Sequence, residues 1–190
     1  MAEKKLKKAE NGLTISVEMP SGINARYENE SLTLKKGDKE IDRKIHPSIK
    51  VNIQGNLINM STQRNRKIER RLMGTLEAHL KNMIKGLDEN FMYKLQVVNV
   101  HFPMTVNVDK EKNEFVVNNF LGEKKDRRIK LVPGVQVKVI KDVVEITSHD
   151  IEKAGQAATN IEKGTKVRKR DRRVYQDGIF IIEKPGRSYL

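Results

Sequence analysis

The chain aligns with itself. Ile49, Val51, Ile53, Leu57, Ile58 and Met60 fall, at a constant shift of 86 positions, onto Val135, Val137, Val139, Val143, Val144 and Ile146. Upstream, Asp42-Arg43-Lys44-Ile45 matches Asp126-Arg127-Arg128-Ile129 at a shift of 84, and Leu32 and Leu34 match Phe115 and Val117 at 83. The drift in shift is that of loops of unequal length between copies of one supersecondary unit. A fold is therefore sought for half the chain and used twice.

Within each copy, Ile49-x-Val51-x-Ile53 and Val135-x-Val137-x-Val139 alternate with the period of two of a half-buried strand. Gly55-Asn56 and Lys141-Asp142 sit between paired apolar runs at hairpin spacing, the first as a type II′ turn and the second by alignment alone. A helical pattern follows each hairpin. Ile68, Leu72, Leu76, Leu80, Met83 and Ile84 form an apolar stripe that Gly86 is placed to end. In the second copy a helix opens after Ser148 or Asp150 as N-cap, stops near Gly164, and buries Ile151, Ala154, Ala157, Ala158 and Ile161. The expected fold is α+β: two tandem similar domains, each an antiparallel sheet with one helix packed on a face. The divisions expected are a basic N-terminal extension at 1–10, a first repeat at 11–86, a second at 87–184 that carries the RNA contacts, and a tail at 185–190. The extension is read as disordered until a polyanion neutralises Lys4, Lys5, Lys7 and Lys8.

Charge narrows the partner. Thirty-eight Lys and Arg against 25 Asp and Glu leave +13, a surplus that attracts polyanions such as nucleic acid. It is spread over both halves, with 18 basic and 12 acidic residues in 1–90 and 20 and 13 in 91–190. Three clusters stand out. The densest is Lys163, Lys166, Arg168, Lys169, Arg170, Arg172 and Arg173, interrupted by the single acid Asp171. It suits either a solvated loop or a grip on phosphate, and the planar fork of Arg favours the grip. A second, Arg64, Arg66, Lys67, Arg70 and Arg71, lies at the start of the first helix, where the dipole disfavours positive charge and either a polyanion or Glu69, Glu77 and solvent must compensate. The third is Lys124, Lys125, Arg127, Arg128 and Lys130, whose alternation suggests a strand entered from a charged loop.

Other chemistries find little support. The absence of Cys excludes disulfides and thiolate sites and fits a reducing, cytoplasmic compartment. No run approaches the ~18 apolar residues of a membrane span, so no membrane partner is expected. His46, His79, His101 and His149 are scattered without metal-ligand spacing, and no nucleophile elbow or phosphate-cradling glycine loop occurs. No catalytic residue, metal or cofactor is expected. Asp109 and Glu111 keep open a metal-dependent nuclease, against a plain hairpin loop. Five Phe, four Tyr and no Trp are few for stacking single-stranded bases, which favours recognition of backbone and shape in folded RNA.

Several motifs then acquire a common source. Asn82-Met83-Ile84-Lys85-Gly86, Phe91-x-Tyr93-Lys94, His101-Phe102-Pro103, Asn119-Phe120-Leu121-Gly122-Glu123-Lys124, Arg127-Arg128, Pro133-Gly134-Val135, Gly155-Gln156-Ala157-Ala158 and Asp177-Gly178-Ile179 resemble, in order and spacing, the universal large-subunit ribosomal protein L-six family in its archaeal and eukaryotic branch. The resemblance implies a non-enzymatic protein of the large subunit. It would bind the rRNA near its 3′-terminal domain, beside the stalk base and its neighbouring ribosomal proteins, and support translational GTPase factors indirectly. It also implies that the C-terminal domain, with Lys124–Arg128 and Lys166–Arg173, makes much of the contact. The chain departs from the family at Lys36-Gly37-Asp38-Lys39-Glu40, which lacks a proline and adds acids, and at His149, where a glycine is usual. A free RNA-binding module or RNA chaperone outside the ribosome is the alternative that the same charge would serve.

Overall fold

The computed structural model describes residues 8, 9 and 12–189, and the chain forms two compact units that divide between Glu89 and Asn90. In the first unit seven strands precede a helix: β1 (Lys8–Ala9), β2 (Gly12–Glu18), β3 (Asn24–Glu28), β4 (Ser31–Lys36), β5 (Lys39–Lys44), β6 (Ile49–Gln54), β7 (Leu57–Thr62) and α1 (Lys67–Asp88). In the second, β8 (Phe91–Val98), β9 (Thr105–Asp109), β10 (Glu114–Asn118), β11 (Arg127–Lys130), β12 (Gln136–Ile140) and β13 (Val143–Ser148) precede α2 (Ile151–Gly164), and β14 (Gly178–Lys184) and β15 (Arg187–Ser188) follow it.

The strands of each unit divide into two antiparallel sheets, where the sequence suggested one. The larger sheets run β1-β2-β7-β6 and β12-β13-β8-β14-β15, and the smaller ones are β3-β4-β5 and β11-β10-β9. The duplication holds from β2 to α1 and from β8 to α2, with β6-β7 and β12-β13 as the matching hairpins and a helix after each, while β1 of the first unit and β14 and β15 of the second have no counterpart. At both hairpin turns the first residue has positive φ, +57° at Gly55 and +53° at Lys141. Alignment located the second turn correctly although its residue lacks the freedom of glycine.

In one respect the copies differ. Leu32 faces Arg43 across β4 and β5, whereas Phe115, its counterpart, faces Ile129 rather than Arg127. The slip is two residues, so side chains keep their faces. A tight Gly37-Asp38 turn joins the strands in the first unit, while residues 119–126 form a longer connection with a short 3-10 helix at Phe120–Gly122 in the second.

Each helix covers a sheet with its apolar stripe. In α1 the buried residues are Met73, Leu76, Leu80, Met83, Gly86 and Leu87, which join Leu32, Leu34, Ile58 and Met60 in the first core. Two sequence expectations fail here. Ile68, the supposed start of the stripe, is 59% exposed, because burial begins only at Met73; periodicity does not say which turns overlie the sheet. Gly86 does not end the helix, which continues to Asp88 so that Leu87 enters the core at 2% exposure.

Helix α2 follows its sequence closely. Asp150 is the N-cap, its side chain accepting from the Glu152 N–H at 2.9 Å, and Ala154, Ala157, Ala158 and Ile161 are buried. Ser148 supports the cap by accepting from the Asp150 N–H and donating to the Gly134 carbonyl. His149 has no positive φ. The small side chains let the helix lie close to β8: a Cβ at Gly155 would stand 3.0 Å from the Tyr93 hydroxyl. Of the expected N-terminal extension, Lys8 and Ala9 form β1, while Lys4, Lys5 and Lys7 lie outside the described residues. The tail folds back as a hairpin, with β15 paired to β14.

Two glycines of the first unit test this packing with opposite signs. A Cβ at Gly12 would meet the Thr62 carbonyl oxygen at 2.4 Å, so Gly12→Ala should destabilise the unit by about 1–3 kcal/mol. Gly74 is exposed in the middle of α1 with open space around it, so Gly74→Ala should stabilise by about 0.5–1 kcal/mol. Urea unfolding followed by circular dichroism reads both.

Candidate nucleic-acid interface

The basic segment 163–173 leaves the C-terminus of α2 on two buried anchors, Thr165 and Val167. The Thr165 hydroxyl donates to the Ile161 carbonyl at 3.0 Å and accepts from the Ile179 N–H of β14 at 3.2 Å, tying helix end to strand. Between and beyond these anchors, Lys163, Lys166, Arg168, Lys169, Arg170, Arg172 and Arg173 are all exposed. The backbone turns at Lys169, whose φ is +58°, and at Asp171, whose carboxylate accepts from the Arg173 N–H and guanidinium. The run is thus a folded loop held to the core.

Arg127 joins this loop to the third cluster. From β11 its guanidinium donates to the carbonyls of Gly164 at 3.0 Å and Lys166 at 3.3 Å. The same group forms a two-pronged pair with Glu123, at 2.8 and 2.6 Å, and lies 3.9 Å above the Phe120 ring. Those hydrogen bonds hold the Glu123 carboxyl below the usual carboxylate range against the opposing effect of desolvation, and the charge of nearby Arg170 adds to them. Arg127 was expected among the phosphate-binding side chains. Its donors instead face protein acceptors, so its direct effect is to hold the loop at the end of α2. In the first copy the matching Arg43 also reaches its unit's helix, at 2.8 Å from His79.

Arg127 therefore ties the strand that carries the third cluster to the backbone of the 163–173 loop. Arg128 lies 3.6 Å from Glu114, Arg173 is paired with Asp171, and Arg170 stands 4.8 Å over the Tyr175 ring. Lys124, Lys125, Lys163, Lys166, Arg168, Lys169 and Arg172 make no ion pair among the described residues. The remaining cluster belongs to the first unit. There Arg66 is the N-cap of α1 without a side-chain cap bond, Arg70 donates to Asn65 at 2.7 Å, and Arg64, Arg66, Lys67 and Arg71 have no ion pair among the described residues. Glu77 is committed to Lys81 at 2.6 Å. Neither acid proposed to neutralise the cluster pairs with it among the described residues.

One feature of the second unit went unseen in the sequence. His101 donates to Asp177 twice, from its N–H at 3.0 Å and from Nδ1 at 2.6 Å, although 76 positions separate them. Asp177 is 1% exposed; burial opposes its charge, but the two bonds from His101 prevail and hold its carboxyl below the usual range. The His101 ring also packs on Tyr175, with centroids 5.0 Å apart. The only signal available was that both residues belonged to family-like motifs. Asp109, kept as a possible metal ligand, caps its own turn by accepting from the N–H groups of Glu111 and Lys112. Among the described residues no three His, Cys, Asp or Glu side chains gather as a metal site would require.

A duplicated α+β fold with an exposed basic face places the chain among basic proteins made of two tandem copies of one domain. The family model for ribosomal protein L6 matches it in two segments, residues 19–90 and 102–178. The chain belongs to that family. Two curated relatives are archaeal proteins named large ribosomal subunit protein uL6. That of Methanococcus vannielii is 37% identical over 172 residues, 90% of this chain and 93% of its own length. That of Methanobrevibacter smithii is 38% identical over 169 residues, 88% and 94%.

Two measurements probe the framework. Arg127→Lys keeps the charge but loses the fork, so amide hydrogen exchange in 163–173 should accelerate about tenfold, the equivalent of ~1.4 kcal/mol for charged hydrogen bonds. Asp177 has a folded pKa below its unfolded value of about 3.9, so its contribution to stability is present above that value and is lost as pH falls through the folded pKa. In Asp177→Asn the second unit's stability should fall less steeply below about pH 4 than in the parent, as read by urea titrations at successive pH values.

Proposed function

We propose that the protein is a structural component of the large ribosomal subunit and binds its rRNA through the basic face of the second unit. The observation that carries the site is the set of seven exposed cations, from Lys124 to Arg172, that lack acidic partners among the described residues and stand on a frame fixed by Arg127, Thr165 and Val167. Unpaired charge on a held backbone gains from meeting phosphate, since the loop itself need not be ordered and no internal ion pair must be broken. Family membership and the names of the relatives support the ribosomal setting. The role is structural and not enzymatic, and it belongs to the cytoplasmic ribosome.

The finer reading follows the family resemblance. The bound RNA is the 3′ domain of the large rRNA, beside the stalk base and its neighbouring ribosomal proteins, where the protein supports translational GTPase factors indirectly. The second unit, from Asn90, is the rRNA-binding repeat, and Arg64, Arg66, Lys67, Arg70 and Arg71 give the first unit a separate basic contact. A free RNA chaperone would use the same charge, but would not sediment with large subunits.

Binding to a 3′-domain rRNA fragment and to an unrelated duplex over a salt series tests this. With ~6 phosphates neutralised, the log–log slope should be about −4 to −5, and replacing Lys124, Lys125, Arg168 and Lys169 by Ala should reduce its magnitude by roughly 0.7–0.9 per lost contact. The rRNA fragment should remain the preferred RNA at physiological salt. Equal, wholly salt-labile binding to both would sink the ribosomal reading of this face.

A further inference from the structure

At the C-terminal end of α2, a pocket of about 580 Å³ opens between the helix, the basic loop and β14. That size lies within the usual range for small-ligand sites. Its walls combine three kinds of chemistry. Phe180 and Val98 supply half-buried apolar surface, Gln176 supplies a polar side chain, Glu162 and the buried Asp177 supply carboxylates, and Lys163, Lys166 and Arg172 outnumber them with positive charge. Tyr175 forms a further wall, with the His101 ring centroid 5.0 Å and the Arg170 guanidinium 4.8 Å from its ring centroid. Gln176 donates from Nε2 to the Arg173 carbonyl, which fixes the amide and leaves Oε1 to accept from a ligand.

We propose that this pocket receives one unpaired nucleobase of the bound RNA. The base would enter between the aromatic and apolar walls, Gln176 would meet its polar edge, and Lys163, Lys166 and Arg172 would hold the flanking phosphates. An apolar slot rimmed by cations matches a nucleotide, which is flat and apolar on its faces and anionic at its backbone. An acidic peptide would satisfy the cations but leave the aromatic slot unused. The inference deepens the rRNA-binding reading and rests on it: the lysines and arginines set affinity, while the pocket selects RNA with an extruded base at the right place.

Full-length protein is bound to the large-subunit rRNA 3′-domain transcript substituted with 4-thiouridine, irradiated and digested. The crosslinked nucleotide is expected on the peptide that carries Tyr175, Gln176 and Phe180. Gln176→Ala, at an exposed position, and Phe180→Leu, which keeps apolar volume, should each weaken binding about tenfold without changing the salt slope, whereas Lys166→Ala should lower the slope. If the parent binds the rRNA selectively but both pocket variants bind as it does and the peptide stays unmodified, the pocket proposal fails while the ribosomal function stands. If the parent shows no preference for the rRNA, the functional reading fails and the pocket proposal falls with it. Chemical-shift changes at Gln176 and Phe180 with free uridine monophosphate, in the absence of a crosslink, would assign the pocket to a free nucleotide and overturn the RNA base.

Discussion

The contact between α2 and its sheet is the constraint on which the second unit and its basic loop depend. Ala154, Ala157, Ala158 and Ile161 are fully buried, and the small residues bring the helix close enough that Gly155 nearly touches the Tyr93 hydroxyl. A helix seated so closely has a fixed C-terminus. From that end the chain passes directly into Thr165 and Val167, both buried, so the loop that follows inherits the position of the helix. Apolar packing, which has no charge preference of its own, thereby decides where the charges stand.

Arg127 adds the polar half of the same device. Carbonyls at a helix C-terminus lack intrahelical partners, and a guanidinium near them is favoured both by hydrogen bonding and by the helix dipole. Arg127 satisfies the Gly164 carbonyl in this way while Glu123 and Phe120 hold its other edge and face. The arrangement turns one cation inward and commits Glu123 to it. The longer connection at 119–126 in the second copy carries Phe120 and Glu123, which position the arginine, and the exposed Lys124 and Lys125.

The duplication, the strand alternation, both helices and the N-cap at Asp150 were legible because each follows from local periodicity or from comparing one half with the other. The three basic clusters were legible as composition. Their geometry was not. Nothing in the spacing distinguishes Arg127, bound to carbonyls about forty positions away, from Arg128 beside it, because adjacent strand residues point to opposite faces and only the fold supplies the partners. The same holds for His101 and Asp177, which no local pattern connects. Ile68 failed for a related reason: helical periodicity gives the buried face of a helix but not the length of that face that meets the sheet.

The sequence by itself determined a twice-used α+β unit, a polyanion-seeking charge and membership in a family, since these are encoded in patterns repeated along the chain. Tertiary structure alone decided the division of strands into two sheets per unit, the inward turn of Arg127, the His101–Asp177 pair and the pocket beside Gln176. Each of these depends on residues distant in sequence becoming neighbours. Hydrogen-bond geometry acts over about 3 Å, and only the folded core brings such groups within that distance.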